Sequence, residues 1–531
     1  MAHIVEELNL PEVAFFALDA RAHGRSEGKQ DSGVTMATFV QDLDEFVRHI
    51  EAAFGFQTAN VAVIAQSIGA VIAAAWAHDY APPVRAMVLA APAFRVKLYV
   101  PFARLGLAIW HAIVGDFFVQ SYVKGSALTH DRERAASYAT DPLIKRPISV
   151  RVLLSLDQMA QRVVDDAAAI RVPVQLLLSG SDWVVRNGPQ QQFFERLGSS
   201  VKEIHTFEGF FHDTLGEKDR RLPIAKARTF LQMLFATPAH NESLLDADRK
   251  GFTKSEYDAL STPLPWWSPK NLSFAGTRLF MRTLGRVSDG MRLGVDCGFD
   301  SGASLDYVYR NQPGGFTPIG KLIDWIYLSA VGWRGVRVRK LLLEELLGLA
   351  MTKQRAAGTP VRILDVAAGH GRYVLEGIQK SGVAAESILL RDFDPGNVAS
   401  GKELVKGLDA TFEQADAFDR ASYRGVQATI GIVSGLFELF PDNDRPRRAL
   451  GGIADAIAPG GYLLYTGQPW HPQIEMIART LTSHLGGKPW VMRRRTQEEL
   501  DQLVAEAGFR KVAQRIDPMG LFTVSLAQRV K

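Results

Sequence analysis

Asn60–Asp79, NVAVIAQSIGAVIAAAWAHD, decides the fold of the first half of the chain. Val61 to Ile64 is a short β-branched apolar run that reads as a buried strand, and the alanine-rich stretch after Gly69 is a strong helix former. Between them lies AQSIG, with Ser67 at the apex of a sharp strand-to-helix turn, the setting that exposes a nucleophilic serine at the top of a parallel sheet. Small residues must flank such a serine because the backbone turns tightly. Gly69 meets that need, and Ala65 stands where a glycine is usual. Working outward, VAFFALD (Val13 to Asp19) reads as another buried parallel strand, followed by the turn-prone DARAHGRSEG. Downstream, VPVQLLLSGSDWVV supplies a strand with Asp182 in the turn after it, and VKEIHTFEGFFHD a strand followed by His212. The order Ser67, Asp182, His212, each beyond a strand, suits acyl transfer. Ser67 attacks the carbonyl, His212 takes and returns the proton, Asp182 orients the imidazole, and the backbone N–H of Ile68 faces the oxyanion. His23, in a turn, and His205, inside a strand pattern, are weaker candidates for the base.

Composition sets the outer bounds. At about 100–200 residues per domain, 531 residues suggest three domains or two large ones. With 47% hydrophobic and 22% charged residues the chain is neither disordered nor collagenous. Its single cysteine, Cys297, cannot close an internal disulfide, which favours a reducing compartment. A net charge of +4 from 61 basic and 57 acidic residues is too weak to argue for a nucleic-acid partner. The first twenty residues carry Glu6, Glu7, Glu12 and Asp19 rather than a basic start and an apolar core. Val100 to Val123, the most apolar long stretch, is interrupted by Pro101, Arg104, His111 and Asp116, and each such charge costs about 2.5–3.5 kcal/mol at the centre of a membrane span. The expectation is a cytoplasmic protein without a transmembrane segment.

On LDARAHGRSEG (Leu18 to Gly28), AQSIGA, SGSDWVV and GFFHD, the first 235 residues resemble the α/β-hydrolases of the serine aminopeptidase and monoacylglycerol-lipase type. The resemblance implies a mobile lid over about 93–169, containing LYVPFARLGLAIWHAIVGDFF. That stretch reads either as a buried helical pair or as an apolar mouth for acyl chains. The sequence departs from the family at its front. The family places a further strand, with an HG-type loop that completes the oxyanion hole, inside the sheet between the strands assigned to VAFFALD and VAVIA. Here only MAHIVEELNL, which reads as a helix, comes before. An internal hydrogen-bond gap is therefore expected. Either Met1 is an internal methionine of a longer natural chain, or this half has lost its catalysis. With Ile68 alone as oxyanion donor, weak or absent hydrolysis is expected.

The second half turns on VRILDVAAGHGRYVLEGI: strand, glycine-rich turn, helix. Gly369 and Gly371 let the backbone approach a ligand, and the helix after them points its N–H groups at the same spot. About twenty residues on, SILLRD ends at Asp392, suited to ribose hydroxyls. Alone, this pattern equally suits a nicotinamide cofactor. FEQADAFD adds Asp416, placed for an adenine edge. ATIGIVSGLFELF and PGGYLLYTGQPW add strands, and RKVAQRID, a PMG turn and LFTVSLAQR close the chain as an antiparallel pair. A sheet ending in that hairpin resembles class I methyltransferases that use S-adenosylmethionine. The resemblance implies that Asp365, Gly369 and Gly371 line the cofactor, with Asp392 on its ribose and Asp416 on its adenine. Ala367 stands where the family has a glycine and narrows the pocket slightly. Glu438, Tyr465, Trp470 and His471, beyond the fourth and fifth strands, are the acceptor-side candidates. No metal cluster has convincing spacing.

Between the halves, 236–270 is rich in Pro, Ser, Thr and charge and reads as a linker. Residues 271–358 read as a helical leader, and 359–531 as the S-adenosylmethionine-binding domain. GFDSGASLDYVYRNQP and LIDWIYLSAVGWRGVRVRKLLLEELL resemble the leader of a bacterial methyltransferase family commonly fused behind such a hydrolase. Arg334, Arg337, Arg339 and Lys340, and separately Arg493, Arg494 and Arg495, suit either a solvated helix face or an anionic head group or membrane surface. The fold class expected is α/β with two domains: an α/β-hydrolase fold with an incomplete sheet, and a Rossmann-like methyltransferase fold with a terminal antiparallel hairpin. The function expected is a bifunctional serine ester hydrolase and S-adenosylmethionine-dependent methyltransferase acting on lipid-like small molecules. The alternative is a non-catalytic docking module in front of a working methyltransferase.

Overall fold

Strands and helices alternate through two units, Met1–Glu242 and Ser243–Lys531, in a computed structural model that describes residues 2–28, 33–239 and 242–530. In the first unit β1 (Ala62–Gln66), β2 (Ala86–Ala90), β5 (Val174–Ser179) and β6 (Lys202–Phe207) form a parallel sheet in that order. A separate two-strand ribbon joins β3 (Phe118–Gln120) to β4 (Pro147–Ser149). β2 and β5 are buried along their whole length, as strands covered on both faces should be. β1 is half-buried throughout. The helix Ile68–Tyr80 that follows it is apolar almost all round and packs inside the unit, with Ala70, Val71 and Ala73 to Ala77 buried.

VAFFALD departs from expectation. Val13 to Asp19 forms no strand; it runs without regular structure, and Phe15, Phe16 and Leu18 are exposed. A strand needs a neighbour for its N–H and C=O groups. Among the described residues none lies between this segment and β1, whose one strand partner is β2. Phe16 instead leans on Phe54 and Phe56, at ring-centroid distances of 4.9 and 5.9 Å. The gap anticipated in the sheet is thus wider than one strand, because the outer strand does not form either. The amino-terminal helix Ala2–Leu8 is held elsewhere: Ile4 and Leu8 pack with the helix Arg221–Ala236, and Arg228 Nε donates to Leu8 O at 2.6 Å.

In the lid, Ala103–Val114 is helical and buries none of its residues; Leu105, Ile109, Trp110 and Ile113 are all more than half exposed. The buried-pair reading does not hold for this helix. No helix of the described residues is long and apolar enough to cross a membrane.

The second unit is built on β7 (Arg362–Val366), β8 (Ser387–Asp392), β9 (Thr411–Gln414), β10 (Ala428–Val433), β11 (Ile457–Gly467), β12 (Phe509–Ile516) and β13 (Thr523–Arg529). Their order is β12-β13-β11-β10-β7-β8-β9, with β13 antiparallel to both β11 and β12 and the rest parallel. The Pro459–Gly461 turn is a bulge inside β11, where the pairing shifts between Ala428 and Ile430. Leader helices occupy Pro269–Arg282, Asp289–Cys297, Gly302–Arg310, Pro318–Leu328 and Val331–Ala356.

The stretch read as a linker is not one over most of its length. His240 and Asn241 lie outside the described residues, but 243–262 is strapped to the second unit. Leu244 N donates to Gln502 Oε1 at 2.7 Å, Asn443 N to Asp248 Oδ2 at 2.9 Å, and Arg493 Nη1 to Thr253 Oγ1 at 3.0 Å. Two of its polar side chains, Thr253 and Glu256, meet the buried Arg493 and Arg494.

Those arginines correct a second reading. Arg493, Arg494 and Arg495 are buried, as are Arg339 and Lys340. Arg495 donates to Phe437 O, Phe440 O and Asp442 O at 2.6–2.9 Å and to Asn443 Oδ1 at 2.9 Å. Burial, with Arg493 beside it, pulls its pKa down to about 10. The run therefore ties down the loop after β10 and offers no charged surface.

Candidate functional site

The strand-to-helix turn after β1 places Ser67 at φ 55°, ψ −120°. This left-handed backbone is costly for a residue with a side chain, and it lifts the hydroxyl clear of the sheet. Ser67 Oγ lies 2.7 Å from His212 Nε2, and His212 Nδ1 lies 2.8 Å from Asp182 Oδ2. Asp182 Oδ1 accepts from Val184 N at 2.7 Å and Val185 N at 2.9 Å, which fixes the carboxylate in its turn. His212 and Asp182 are buried. The geometry is that of a serine activated through an oriented imidazole. Ile68 is the first residue of the helix, next to Ser67, so its N–H has no helical acceptor.

Gln66 was not visible from sequence as a site residue. Its Nε2 donates to Asp213 Oδ1 at 2.8 Å and its Oε1 accepts from Leu215 N at 3.1 Å, so it clamps the serine turn to the histidine loop from behind. Arg134 pairs with the other oxygen of Asp213. The one signal for this clamp was a glutamine at the polar end of an apolar strand.

In the second unit, Asp365 lies inside β7, Ala367, Gly369 and Gly371 follow it, and Asp392 ends β8. Gly369 N donates to Asp392 Oδ2 at 2.8 Å, while Asp392 Oδ1 accepts from Asp394 N and from Asn397 Nδ2, both at 3.0 Å. A carboxylate has about four lone-pair sites, and these bonds use three of those of Asp392. Asp365 is fully buried and binds Tyr373 Oη at 2.7 and 2.8 Å; burial drives its pKa well up, against that hydrogen bond. Asp416, beyond β9, is exposed. Gly369 faces the leader: a Cβ on it would sit 3.6 Å from Gly302 Cα. Asp306, four residues further along the leader, pairs with Arg372 just after the loop.

Ala367 has φ 58°, a conformation that costs a non-glycine residue about 1–2 kcal/mol. Ala367→Gly is expected to raise the unfolding free energy of this unit by about 0.5–1 kcal/mol in urea titration, since glycine's greater unfolded-state freedom offsets part of the relief.

The four acceptor-side candidates are not brought together. Tyr465 is buried, and its hydroxyl binds Asp501 Oδ1 at 2.7 Å, in a core cluster apart from that of Trp470. His471 is buried, which pushes its pKa down to about 4, and its Nδ1 accepts from Gln473 N at 3.0 Å. The neutral ring therefore carries its proton on Nε2 and cannot serve as a base through either nitrogen. Glu438 is buried, and burial raises its pKa despite Arg339 nearby.

Two family models match the chain: "Serine aminopeptidase, S33" over residues 1–219 and "Putative methyltransferase" over 227–529. An uncharacterized protein of Escherichia coli K12, YnbC, is 50% identical over 536 aligned residues, covering 100% of this chain and 91% of the relative. A monoacylglycerol lipase of Mycolicibacterium smegmatis is 26% identical over 230 residues, 41% of this chain and 78% of that one. A solved SAM-dependent methyltransferase of Methanosarcina mazei overlays 32% of this chain and 93% of its own at a TM-score of 0.26 and 19% identity. The chain belongs to the family described as "Putative methyltransferase", with a serine aminopeptidase S33 domain of α/β-hydrolase type in front.

Proposed function

We propose that the protein is a bifunctional enzyme: a serine ester hydrolase acting through Ser67, His212 and Asp182, joined to an S-adenosylmethionine-dependent methyltransferase. The observation that carries the first activity is the unbroken hydrogen-bond chain from Ser67 Oγ to the Asp182 carboxylate. The second is supported by the pairing of Asp392 with the Gly369 amide at the carboxyl ends of β7 and β8, where ligands bind in open α/β sheets. When bound there, S-adenosylmethionine supplies an electrophilic methyl group. The chain's own part is to hold the ribose with Asp392, set the adenine beside Asp416 and leave room at Gly369, with Ala367 lining the same loop.

Lipid-like substrates are our reading of the exposed apolar lid helix, whose Leu105, Ile109, Trp110 and Ile113 suit acyl chains. The similarity to a monoacylglycerol lipase agrees with this. Any contact with an anionic membrane would fall to that helix and to Arg334 and Arg337, since the other grouped basic side chains are buried. The single thiol, Cys297, supports a cytoplasmic location. One observation favours the second reading, a docking module in front of a working methyltransferase: among the described residues β1 has β2 as its one strand partner, and the Ile68 N–H is the one oxyanion donor identified.

Titration calorimetry tests the methyltransferase half. Micromolar binding of S-adenosylmethionine is expected, weakened about 10–100-fold in Asp392→Ala by loss of a charge-assisted hydrogen bond. Equal binding by the two proteins would remove Asp392 from the site.

A further inference from the structure

Beyond the carboxyl ends of β7 and β10, three buried polar atoms have no hydrogen-bond partner: Arg339 Nε, Ser434 Oγ and Glu438 Oε1. Arg339 lies on the leader helix Val331–Ala356 and is 3% exposed. Its polar contacts are long, Nη2 to Tyr309 Oη at 3.5 Å and Nη1 to Glu438 Oε1 at 3.9 Å. One face of the guanidinium lies over Phe522, 5.0 Å from the ring centroid. Next to it the backbone carries Gly435 at φ +71°, and a Cβ there would come within 3.2 Å of Nη1.

This fork is under-used for its depth. A guanidinium has five N–H donors that water would otherwise satisfy. Arg495, as deeply buried in the same unit, meets three carbonyls and an amide oxygen. The fold therefore can satisfy a buried arginine whose task is structural, and at Arg339 it does not. The position is also specific. Tyr309, beside Arg339, stands 6.4 Å ring to ring from Tyr373, whose hydroxyl holds Asp365 of the glycine-loop motif. The fork, with its Nε unpartnered, therefore stands two aromatic rings away from the proposed donor loop.

We propose that Arg339 is the receptor for a ligand carboxylate in the methyl-transfer crevice, gripped by its guanidinium edge with the Ser434 hydroxyl as a further donor. A planar fork facing a planar anion is the pairing this geometry suits best. The carboxylate belongs either to the amino-acid end of the methyl donor or to the methyl acceptor. The proposal rests on the S-adenosylmethionine reading above.

Calorimetry on the full chain and on Arg339→Gln separates the cases, with four probes: S-adenosylhomocysteine, its decarboxylated analogue, and sodium octanoate and 1-octanol added to protein saturated with S-adenosylhomocysteine. If the anion is the donor's, Arg339→Gln weakens S-adenosylhomocysteine about tenfold or more and leaves the decarboxylated analogue unchanged. If it is the acceptor's, S-adenosylhomocysteine binds both proteins alike, while octanoate binds the wild type and not the variant, and octanol binds neither preferentially. Either pattern supports the proposal. It is overturned if S-adenosylhomocysteine binds both proteins equally and octanoate either binds both equally or binds neither. A wild type that binds no S-adenosylhomocysteine overturns the donor reading itself, and the proposal with it. Should Arg339→Gln not fold, Arg339→Lys carries the same comparisons, since it keeps the charge and loses the paired donors.

Discussion

Incubated with a fluorophosphonate probe, the protein is expected to take up label at Ser67, and Ser67→Ala to take up none. Phosphonylation needs a serine whose proton has somewhere to go. The 2.7 Å contact from Ser67 Oγ to His212 Nε2, backed by Asp182 at 2.8 Å, provides that. Turnover of an ester asks for more, because negative charge develops on the carbonyl oxygen and must meet preorganised donors. The Ile68 N–H is one such donor. Among the described residues no strand pairs with the other edge of β1, and losing one oxyanion donor typically costs about 10²–10³ in rate. Labelling should therefore proceed over long incubation while hydrolysis of a short acyl ester stays slow. Removing Ser67 should erase what ester turnover there is, as loss of a nucleophile alone can cost about 10⁶ in rate. Full-rate hydrolysis would show that a second donor exists. Absence of label on Ser67 in the folded protein would end the hydrolase reading and leave the docking-module alternative.

Much of this arrangement was legible in the sequence, for identifiable reasons. Ser67, Asp182 and His212 could be read because each follows an apolar run short enough to be a strand, and a parallel sheet gathers the carboxyl ends of its strands. The same logic located Gly369 and Asp392. VAFFALD misled because β-propensity describes a residue's fit to a pleated neighbour, and among the described residues no strand pairs with it. The burial of Arg493 to Arg495 was hidden for a related reason. Their partners are backbone carbonyls of 437–442 and side chains of a strap some 240 residues earlier in the chain, and composition registers neither. Glu438 follows β10 and Tyr465 lies inside the neighbouring β11; the tyrosine hydroxyl turns to Asp501 and the glutamate side chain to Arg339. Strand ends fix where a residue begins, and alternation along the strand decides which face it serves.

Arg493→Met is expected to destabilise the second unit by about 3–5 kcal/mol, the usual consequence of stripping the partner from a buried charge. Arg493 has no exposed side-chain surface, and its ion-pair partner Glu499 is 1% exposed. The guanidinium also donates to Pro441 O, to Ala247 O at 3.3 Å, to Thr253 Oγ1 at 3.0 Å and to Asn443 Oδ1 at 2.9 Å. Methionine fills much of the volume and none of these needs. The carboxylate of Glu499 keeps one bond from Asn443 Nδ2, at 2.9 Å, and the long contact to Arg495 Nε at 3.8 Å. The measurement is hydrogen exchange of the β10 and β11 amides, which reports this unit's opening separately from that of the hydrolase half. Replacing both partners, Arg493→Met with Glu499→Leu, should recover a good part of the loss, because no buried charge is then left alone. If the double variant is no better than the single one, the damage lies in the carbonyls of 247 and 441 and not in the ion pair. If Arg493→Met protects those amides as well as the wild type does, Arg493 and its partners hold nothing.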